Sequence, residues 1–313
     1  MSDTMKAVRI HTFGGPEVLT YEDAPKPTPG AGEALVRVRA AGVNPVDWKA
    51  REGWVEGLWK HTLPLILGWD VCGVVEAVGE GVTEVKPGDE VYTNADPRRD
   101  GAYAQYCVVR AATLGPKPKS LSFTQAGGLP IVALTAWQSL FGAAGLEAGQ
   151  TVLIHAAAGG VGSMAVQFAK WKGAQVIGTA SARNHDFVRG LGADEVIDYT
   201  TTRFEDHVKD VDVVFDTVGK AVQQRSWQTL KPGGYLVAIV NDADQEQAQK
   251  HGVRASHVFS DPNPADLTAI ADLFDTGAVK PTVSEVLPLH EARRAHEQSE
   301  GGHVRGKIVL EVP

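Results

Sequence analysis

The chain of 313 residues has only two cysteines, Cys72 and Cys107. Two thiols so far apart exclude a disulfide framework and a cysteine-rich structural zinc site. Both sit in apolar, strand-like surroundings and read as buried free thiols. No run of about 18 uncharged apolar residues occurs, so no membrane-spanning helix is expected. No signal-like amino terminus is present either, and the expected compartment is the cytoplasm. Lys and Arg form no block, and the net charge is −8, which argues against a nucleic-acid partner. An anionic cofactor is compatible with that charge, because it needs positive potential only locally. The ten histidines are scattered, with no pair spaced to ligate a metal from one helix face. Internal repeats and low-complexity tracts are absent.

A hydrophobic content of 43% and a charged content of 22% are those of a globular protein, and 313 residues exceed one ordinary core, so two domains are expected. The densest information lies in residues 151–199. Thr151–Ala156 is a short apolar run of strand length; Ala157, Gly159 and Gly162 follow at the spacing G-x-G-x-x-G with Ala first; Ser163–Lys172 has helical spacing; Gln175–Thr179 is a second apolar strand. A strand, tight glycine turn, helix and strand within about 30 residues form the context in which such glycines bind a dinucleotide. The turn needs residues without a large side chain, and the helix N-terminus offers unpaired N–H groups and partial positive charge to a pyrophosphate. Gly159, Gly160, Val161 and Gly162 are therefore the expected pyrophosphate residues.

The end of the second strand selects the cofactor. An NAD site places Asp or Glu there for the ribose 2′-hydroxyl. Here the stretch runs Gly178-Thr179-Ala180-Ser181-Ala182-Arg183-Asn184, with no carboxylate before Asp186. Ser181 offers a hydroxyl, and Arg183 a planar donor fork suited to phosphate. NADPH is thus expected. Tyr199, after a third short strand at Glu195–Asp198, is placed to close over the same phosphate. Further on, Val211–Val214 and Gly234–Val240 are apolar strands of an alternating α/β pattern. Their carboxyl ends face the cofactor crevice by the rule for open parallel sheets, so Val218, Ile239 and Val240 are expected on the nicotinamide side. His155 reads as a structural histidine.

Residues 5–124 are β-rich, with strands at Met5–Ile10, Glu33–Ala40, Val71–Val78 and Ala104–Val109 between Gly- and Pro-marked turns. The pattern starts at Met5, and residues 1–4 read as a ragged start. Ala126–Leu140 reads as a helix, Asn241–His251 as a polar loop or exposed helix, Pro264–Thr276 and Glu291–Ser299 as helices, and Lys307–Glu311 as a final strand.

The order of these parts, with Gly42-Val43-Asn44-Pro45-Val46-Asp47, Gly68–Gly79, Lys86-Pro87-Gly88-Asp89-Glu90-Val91, Ala133-Leu134-Thr135-Ala136-Trp137 and Gly306-Lys307-Ile308-Val309-Leu310, resembles the medium-chain dehydrogenase/reductase superfamily, in its zinc-free quinone oxidoreductase branch. The resemblance implies an α/β protein: a doubly wound parallel Rossmann sheet over 125–263, and a GroES-like β-rich catalytic domain over 1–124 completed by 264–313. Where zinc enzymes of the superfamily carry their ligands this chain has Asn44, Trp69 and Ile131; Trp and Ile cannot ligate zinc, so no metal is expected. Without a Lewis acid, an isolated ketone is a poor acceptor, and a quinone or an α,β-unsaturated carbonyl is the natural one. Asn44 and Asp47 are the expected catalytic residues, and Thr135 a nicotinamide contact. Trp48 and Trp69 are either pocket walls or core, Lys49 a proton donor or a surface lysine, and Tyr92 and Tyr103 strand-packing residues before proton donors. The expected protein is an NADPH-dependent, zinc-independent reductase of a small electrophile, homodimeric through the sheet edge near Tyr235–Val240. The alternative is a non-catalytic NADPH-binding sensor or structural protein.

Overall fold

The computed structural model describes residues 3–313. In chain order it contains β1 (Thr4–Ile10), β2 (Thr20–Pro25), β3 (Glu33–Val43), α1 (Pro45–Arg51), β4 (Leu65–Ile66), β5 (Asp70–Val78), β6 (Glu90–Asn94), β7 (Tyr106–Arg110), β8 (Gly115–Pro116), α2 (Phe123–Gly127) and α3 (Pro130–Trp137), which continues as a π-helical turn over Gln138–Ala143. Next come β9 (Thr151–Ile154), α4 (Gly160–Lys172), β10 (Gln175–Ala180), α5 (His185–Gly190), β11 (Glu195–Asp198), α6 (Phe204–His207), β12 (Val211–Asp216), α7 (Lys220–Ser226), β13 (Leu230–Ala238), α8 (Gln245–His251) and β14 (Arg254–His257). The chain ends with α9 (Pro264–Asp275), β15 (Val283–Pro288), α10 (Ala292–Glu300) and β16 (Lys307–Glu311). The ragged start ascribed to residues 1–4 lies partly outside the described residues, and Thr4 already belongs to β1.

The chain divides into two compact units, one running to Ile131 and resuming at Asp261, the other Val132–Ser260. The boundaries differ from the expected 124 and 264 because α2 packs on β3, β5 and β16 and so belongs to the first unit. Residues 126–140 are not one helix. Gly128 and Leu129 separate α2 from α3, which starts on Pro130, a residue suited to a first helical turn.

In the first unit the long strand β3 organises the sheet. It pairs antiparallel with β5, β7 and β16, and Ile308–Glu311 lies against Ala40–Val43, so the last strand completes a sheet begun near the start of the chain. Alternate side chains of β3 (Val36, Val38) meet Leu67, Trp69, Tyr103, Ile308 and Leu310 in one buried cluster. Burial of each such side chain is worth about 1.5–3 kcal/mol. Gly42 is required in β3: an added Cβ would lie 2.3 Å from Asp70 Oδ2 and 2.7 Å from the Gly127 carbonyl oxygen.

The second unit is a six-stranded sheet in the order β11-β10-β9-β12-β13-β14, every pair parallel. Val152, Leu153 and Ile154 of β9 are fully buried, as a central strand covered on both faces demands. Strand order reverses between β9 and β12, which is where such sheets bind ligands. The resemblance put a sheet edge near Tyr235–Val240; β13 carries β14 outside it, Tyr235 pairing with Arg254. The open edges are β14 and β11.

Candidate functional site

In the second unit the turn after β9 is tight. Ala156 sits at φ 46, a left-handed conformation that costs a non-glycine residue about 1 kcal/mol, and its carbonyl accepts from Gly159 N–H at 2.9 Å. Gly159 is the N-cap of α4, and Gly160, Val161 and Gly162 form its first turn. A Cβ on Gly162 would lie 2.3 Å from the Ala156 carbonyl oxygen and 2.8 Å from Ala157 Cα. Glycine there lets the helix start directly on the strand end. The first N–H groups of a 13-residue helix, with no intrahelical acceptor, then face the sheet's carboxyl edge. This cradle fits a pyrophosphate.

The other expected residues lie in a row along that edge. Ala180 of β10 is in register with Asp198 of β11, so Ser181 and Tyr199 leave the sheet side by side. Asp216 of β12 is in register with Ala238 of β13, which sets Val218 beside Val240, with Ile239 half-buried between the sheet and Val240. Tyr199, Val218 and Val240 are 53%, 41% and 40% exposed. From β11 to β13 the row spans roughly 19 Å at about 4.8 Å per strand. The pyrophosphate cradle sits between its two ends, as an extended dinucleotide requires. Arg183 is exposed, in a short 3-10 turn after β10, and has no hydrogen-bond or ion-pair partner among the described residues. Asp198, the carboxylate that ends β11, is turned onto the Thr200 N–H (2.9 Å) and hydroxyl (2.7 Å). Thr135 is buried within α3.

Two residues outside the expected set shape this edge. The buried Asp216 carboxylate accepts from the N–H groups of Val218 (3.0 Å) and Gly219 (2.7 Å) and from Gln223 Nε2 (3.2 Å), which fixes the turn that projects Val218. His155 bridges Thr179 Oγ1 (3.2 Å) and Ser226 Oγ (2.9 Å), and burial holds it down to about 3. It is neutral at pH 7 and ties β9 to β10 and α7, a structural role.

In the first unit, Asn44 and Asp47 are brought together, but not toward solvent. Asn44 is 2% and Asp47 0% exposed. Asn44 Nδ2 donates to Asp70 Oδ2 at 2.8 Å, and its Oδ1 accepts from Lys307 Nζ at 2.5 Å. Lys307 Nζ also donates to the Val43 carbonyl (2.7 Å), and Asp70 Oδ1 accepts the Ile131 N–H in the first turn of α3 (2.7 Å). Asp47 Oδ2 accepts from Asn44 N–H (2.7 Å) and from Tyr103 Oη (3.0 Å), and His296 Nε2 lies 3.3 Å from the same hydroxyl. Asp47 Oδ1 is buried without a partner. Burial pushes the Asp47 carboxyl up to about 7, against the Asn44 amide and Lys307. Burial likewise lowers the Lys307 amine, against the pull of Asp70. Both atoms of the Asn44 amide therefore have a partner in the fold, and the bonds of Asn44 and Asp47 tie the start of α1 to β5, β16 and Tyr103. Trp69 is core, its indole N–H donating to the Arg99 carbonyl (3.1 Å), and Tyr92 Oη donates to the Leu267 carbonyl (2.6 Å). A groove of about 400 Å³ in this unit is lined by Arg9, Arg99, Asp100 and Tyr106 among others, and none of the expected site residues borders it.

Residues 30–119 match the family described as alcohol dehydrogenase GroES-like domain, and residues 191–310 the family described as zinc-binding dehydrogenase. An NADPH-dependent alkenal/one oxidoreductase of Arabidopsis thaliana chloroplasts is 35% identical over 98% of this chain and 79% of its own. The solved quinone oxidoreductase of Coxiella burnetii is 37% identical, with a TM-score of 0.93 over 99% of this chain and all of its own (100%). The chain belongs to the zinc-free quinone oxidoreductase branch of the medium-chain dehydrogenase/reductase superfamily. A mycobacterial relative solved in complex with NADPH is 31% identical, with a TM-score of 0.87 over 98% of this chain and 100% of its own. The zinc in one family's description does not fit this chain. Asn44 Nδ2 donates to Asp70 and its Oδ1 accepts from Lys307, the Trp69 indole N–H donates to the Arg99 carbonyl, and Ile131 has no ligating side chain. Among the described residues no three His, Cys, Asp or Glu side chains form a group able to hold a metal.

Proposed function

We propose that this protein is an NADPH-dependent, metal-independent reductase of quinones or α,β-unsaturated carbonyls. The observation that carries the reading is the carboxyl edge of the parallel sheet. It combines a glycine-walled helix N-terminus with an unpaired Arg183 where an NAD site would carry a carboxylate. When bound, the dihydronicotinamide supplies a hydride to an electron-poor carbon of the acceptor, and a proton completes the two-electron reduction. Gly159–Gly162 hold the pyrophosphate by backbone N–H groups, while Ser181, Arg183 and Tyr199 bind the 2′-phosphate. Val218, Ile239 and Val240 give the nicotinamide end an apolar wall, and Thr135 is kept as a contact to that ring. Asn44 and Asp47 act indirectly, by fixing the start of α1 through Lys307 and Asp70.

The test is NADPH oxidation followed by absorbance, with one quinone and one 2-alkenal, with NADH in parallel and with a chelator. Turnover that prefers NADPH and ignores the chelator supports the reading. Tight NADPH binding without turnover of either acceptor replaces it with a binding or sensing role.

The proposal extends to place and assembly. Both cysteines are free and buried, in keeping with a reducing compartment, and the cytoplasm is the compartment we favour. No helix among the described residues is long and apolar enough to cross a membrane. The open edge of β14 is the surface we assign to a homodimer, because an unpaired strand edge is a template for a second copy. Sedimentation of the chain and of an Ala255→Pro variant checks this: a dimer that the proline leaves intact contradicts it.

A further inference from the structure

The groove of about 400 Å³ in the first unit runs past β1, β2, β4 and β7, and its size is at the small end of the roughly 300–1,000 Å³ of small-molecule sites. No residue assigned above to the cofactor or to the buried network around Asn44 lines it. Pro25, Pro27 and Pro64 form part of its wall, and their rings fix the backbone, so little conformational freedom remains to be lost on binding. Ile66 adds apolar lining from β4.

Three charged side chains share the groove, Arg9, Arg99 and Asp100, and each has bonding capacity left over. Arg9 uses only Nε, on Glu22 Oε1 (2.6 Å), and Arg99 only Nη1, on Glu33 Oε1 (2.6 Å). The remaining N–H groups of both guanidiniums have no acceptor among the described residues. The Arg9 side chain is only 17% exposed, and an idle donor on a largely buried cation is costly. Asp100 Oδ1 accepts the Ile66 N–H (2.9 Å), while its Oδ2 has no donor among the described residues. Burial pushes the Asp100 carboxyl up, against the Ile66 N–H and then the pull of Arg9 and Arg99, so both guanidiniums lie near this carboxylate. Counting the lining charges and their direct partners, two guanidiniums stand against three carboxylates, Glu22, Glu33 and Asp100. A plain anion therefore meets net negative charge, and a plain amine leaves the guanidinium donors idle. Lys26, between two of the prolines, is paired with Glu76 (3.7 Å) and lies 3.7 Å from the Tyr106 ring centroid, so it leaves the balance unchanged. Cys107 borders the groove too, but burial pushes its thiol up to about 12, which leaves no reactive thiolate there.

We propose that this groove binds a free α-amino acid with an apolar side chain. Its carboxylate meets Arg9 and Arg99, its ammonium meets Asp100, and its side chain lies against Ile66 and the prolines. Such a ligand has no net charge and carries both signs on one carbon, which matches donors and acceptor gathered in one groove. Bonds between ionised groups are the strong kind, and a guanidinium fits a carboxylate by its planar fork. The site is separate from the reductase reading and stands or falls without it.

The test is calorimetry with leucine and with its two one-charge analogues, isocaproate and isoamylamine, on the unaltered chain and on Arg99→Ala and Asp100→Asn. Asn at 100 keeps an oxygen for the Ile66 N–H, and Arg99 is exposed, so both variants should fold; unchanged melting temperatures check this. Leucine should bind about tenfold or more tightly than either analogue, the scale of one charge-assisted bond. Arg99→Ala should weaken leucine and isocaproate about tenfold and leave isoamylamine within twofold, with Arg99→Lys restoring part of the loss. Asp100→Asn should do the converse, weakening leucine and isoamylamine and sparing isocaproate. A merely structural role for either residue would move all three ligands together. No heat from leucine at millimolar concentration, isocaproate binding as tightly as leucine, or leucine affinity unchanged in both variants would overturn the proposal.

Discussion

The two units use polar residues in opposite ways. In the second, the sheet's carboxyl edge is left open: helix N–H groups, Arg183 and Tyr199 face outward with few partners of their own. In the first, Asn44, Asp47, Asp70, Tyr103, His296 and Lys307 face inward and answer one another across more than 260 residues of sequence, Lys307 to Asn44 and Val43. An open polar edge binds a ligand, whereas a closed buried network fixes geometry at some cost in stability. A residue's chemical type does not decide which use it serves; its partners do.

Removing Lys307 attacks the closed network hardest. Lys307→Met leaves the buried Asp70 carboxylate without its cation, and stability should fall by about 3–5 kcal/mol, read by denaturant unfolding with tryptophan fluorescence. A loss below about 1 kcal/mol would mean that the network does not hold the unit together.

A subtler probe is pH. The Asp47 carboxyl titrates near 7 in the folded chain, against an ordinary value of 3.8, with Tyr103, Lys307 and Asp70 around it. Between these values the folded state keeps a proton that the unfolded state has lost. Its contribution to stability therefore declines as pH rises from about 4 to about 7 and is flat above, by at most about 4 kcal/mol at 1.36 kcal/mol per unit. Asp47→Asn cannot ionise and should remove that decline from a plot of melting temperature against pH. An unchanged slope would place the Asp47 proton elsewhere.

The open edge breaks differently. Gly162→Val drives a side chain into the Ala156 carbonyl, and overpacking of this kind costs about 1–3 kcal/mol. NADPH affinity should fall more than tenfold in the folded variant. Retained affinity, by calorimetry, would move the pyrophosphate away from α4.

The same contrast explains what was legible in the residues. The unit at 151–199 was readable because its glycine spacing and apolar runs are local, and a local pattern needs no distant partner. The partners of Asn44 were not, because one of them, Lys307, lies on β16, whose pairing with β3 no local pattern shows. Strand β14 escaped notice because Arg254-Ala255-Ser256-His257 is short and polar, the composition of an edge. Residues 126–140 looked like one helix because their apolar content is continuous, while the break at Gly128 depends on the packing of α2. His155 was legible as structural, since it ends a central strand, although Thr179 and Ser226 were not foreseeable as its partners.

The smallest expected effect is the most direct test of the open edge. Arg183 is exposed, so its bond to a 2′-phosphate should be worth about 1–2 kcal/mol, the low end for a charge-assisted contact. The measurement is the pair of dissociation constants for NADPH and NADH, by calorimetry, on the unaltered chain and on Arg183→Ala. The expected result is a preference for NADPH that shrinks by roughly five- to thirtyfold in the variant, with NADH binding unchanged. An equal loss for both cofactors, or no NADPH preference in the unaltered chain, would contradict the account of how this edge selects its cofactor.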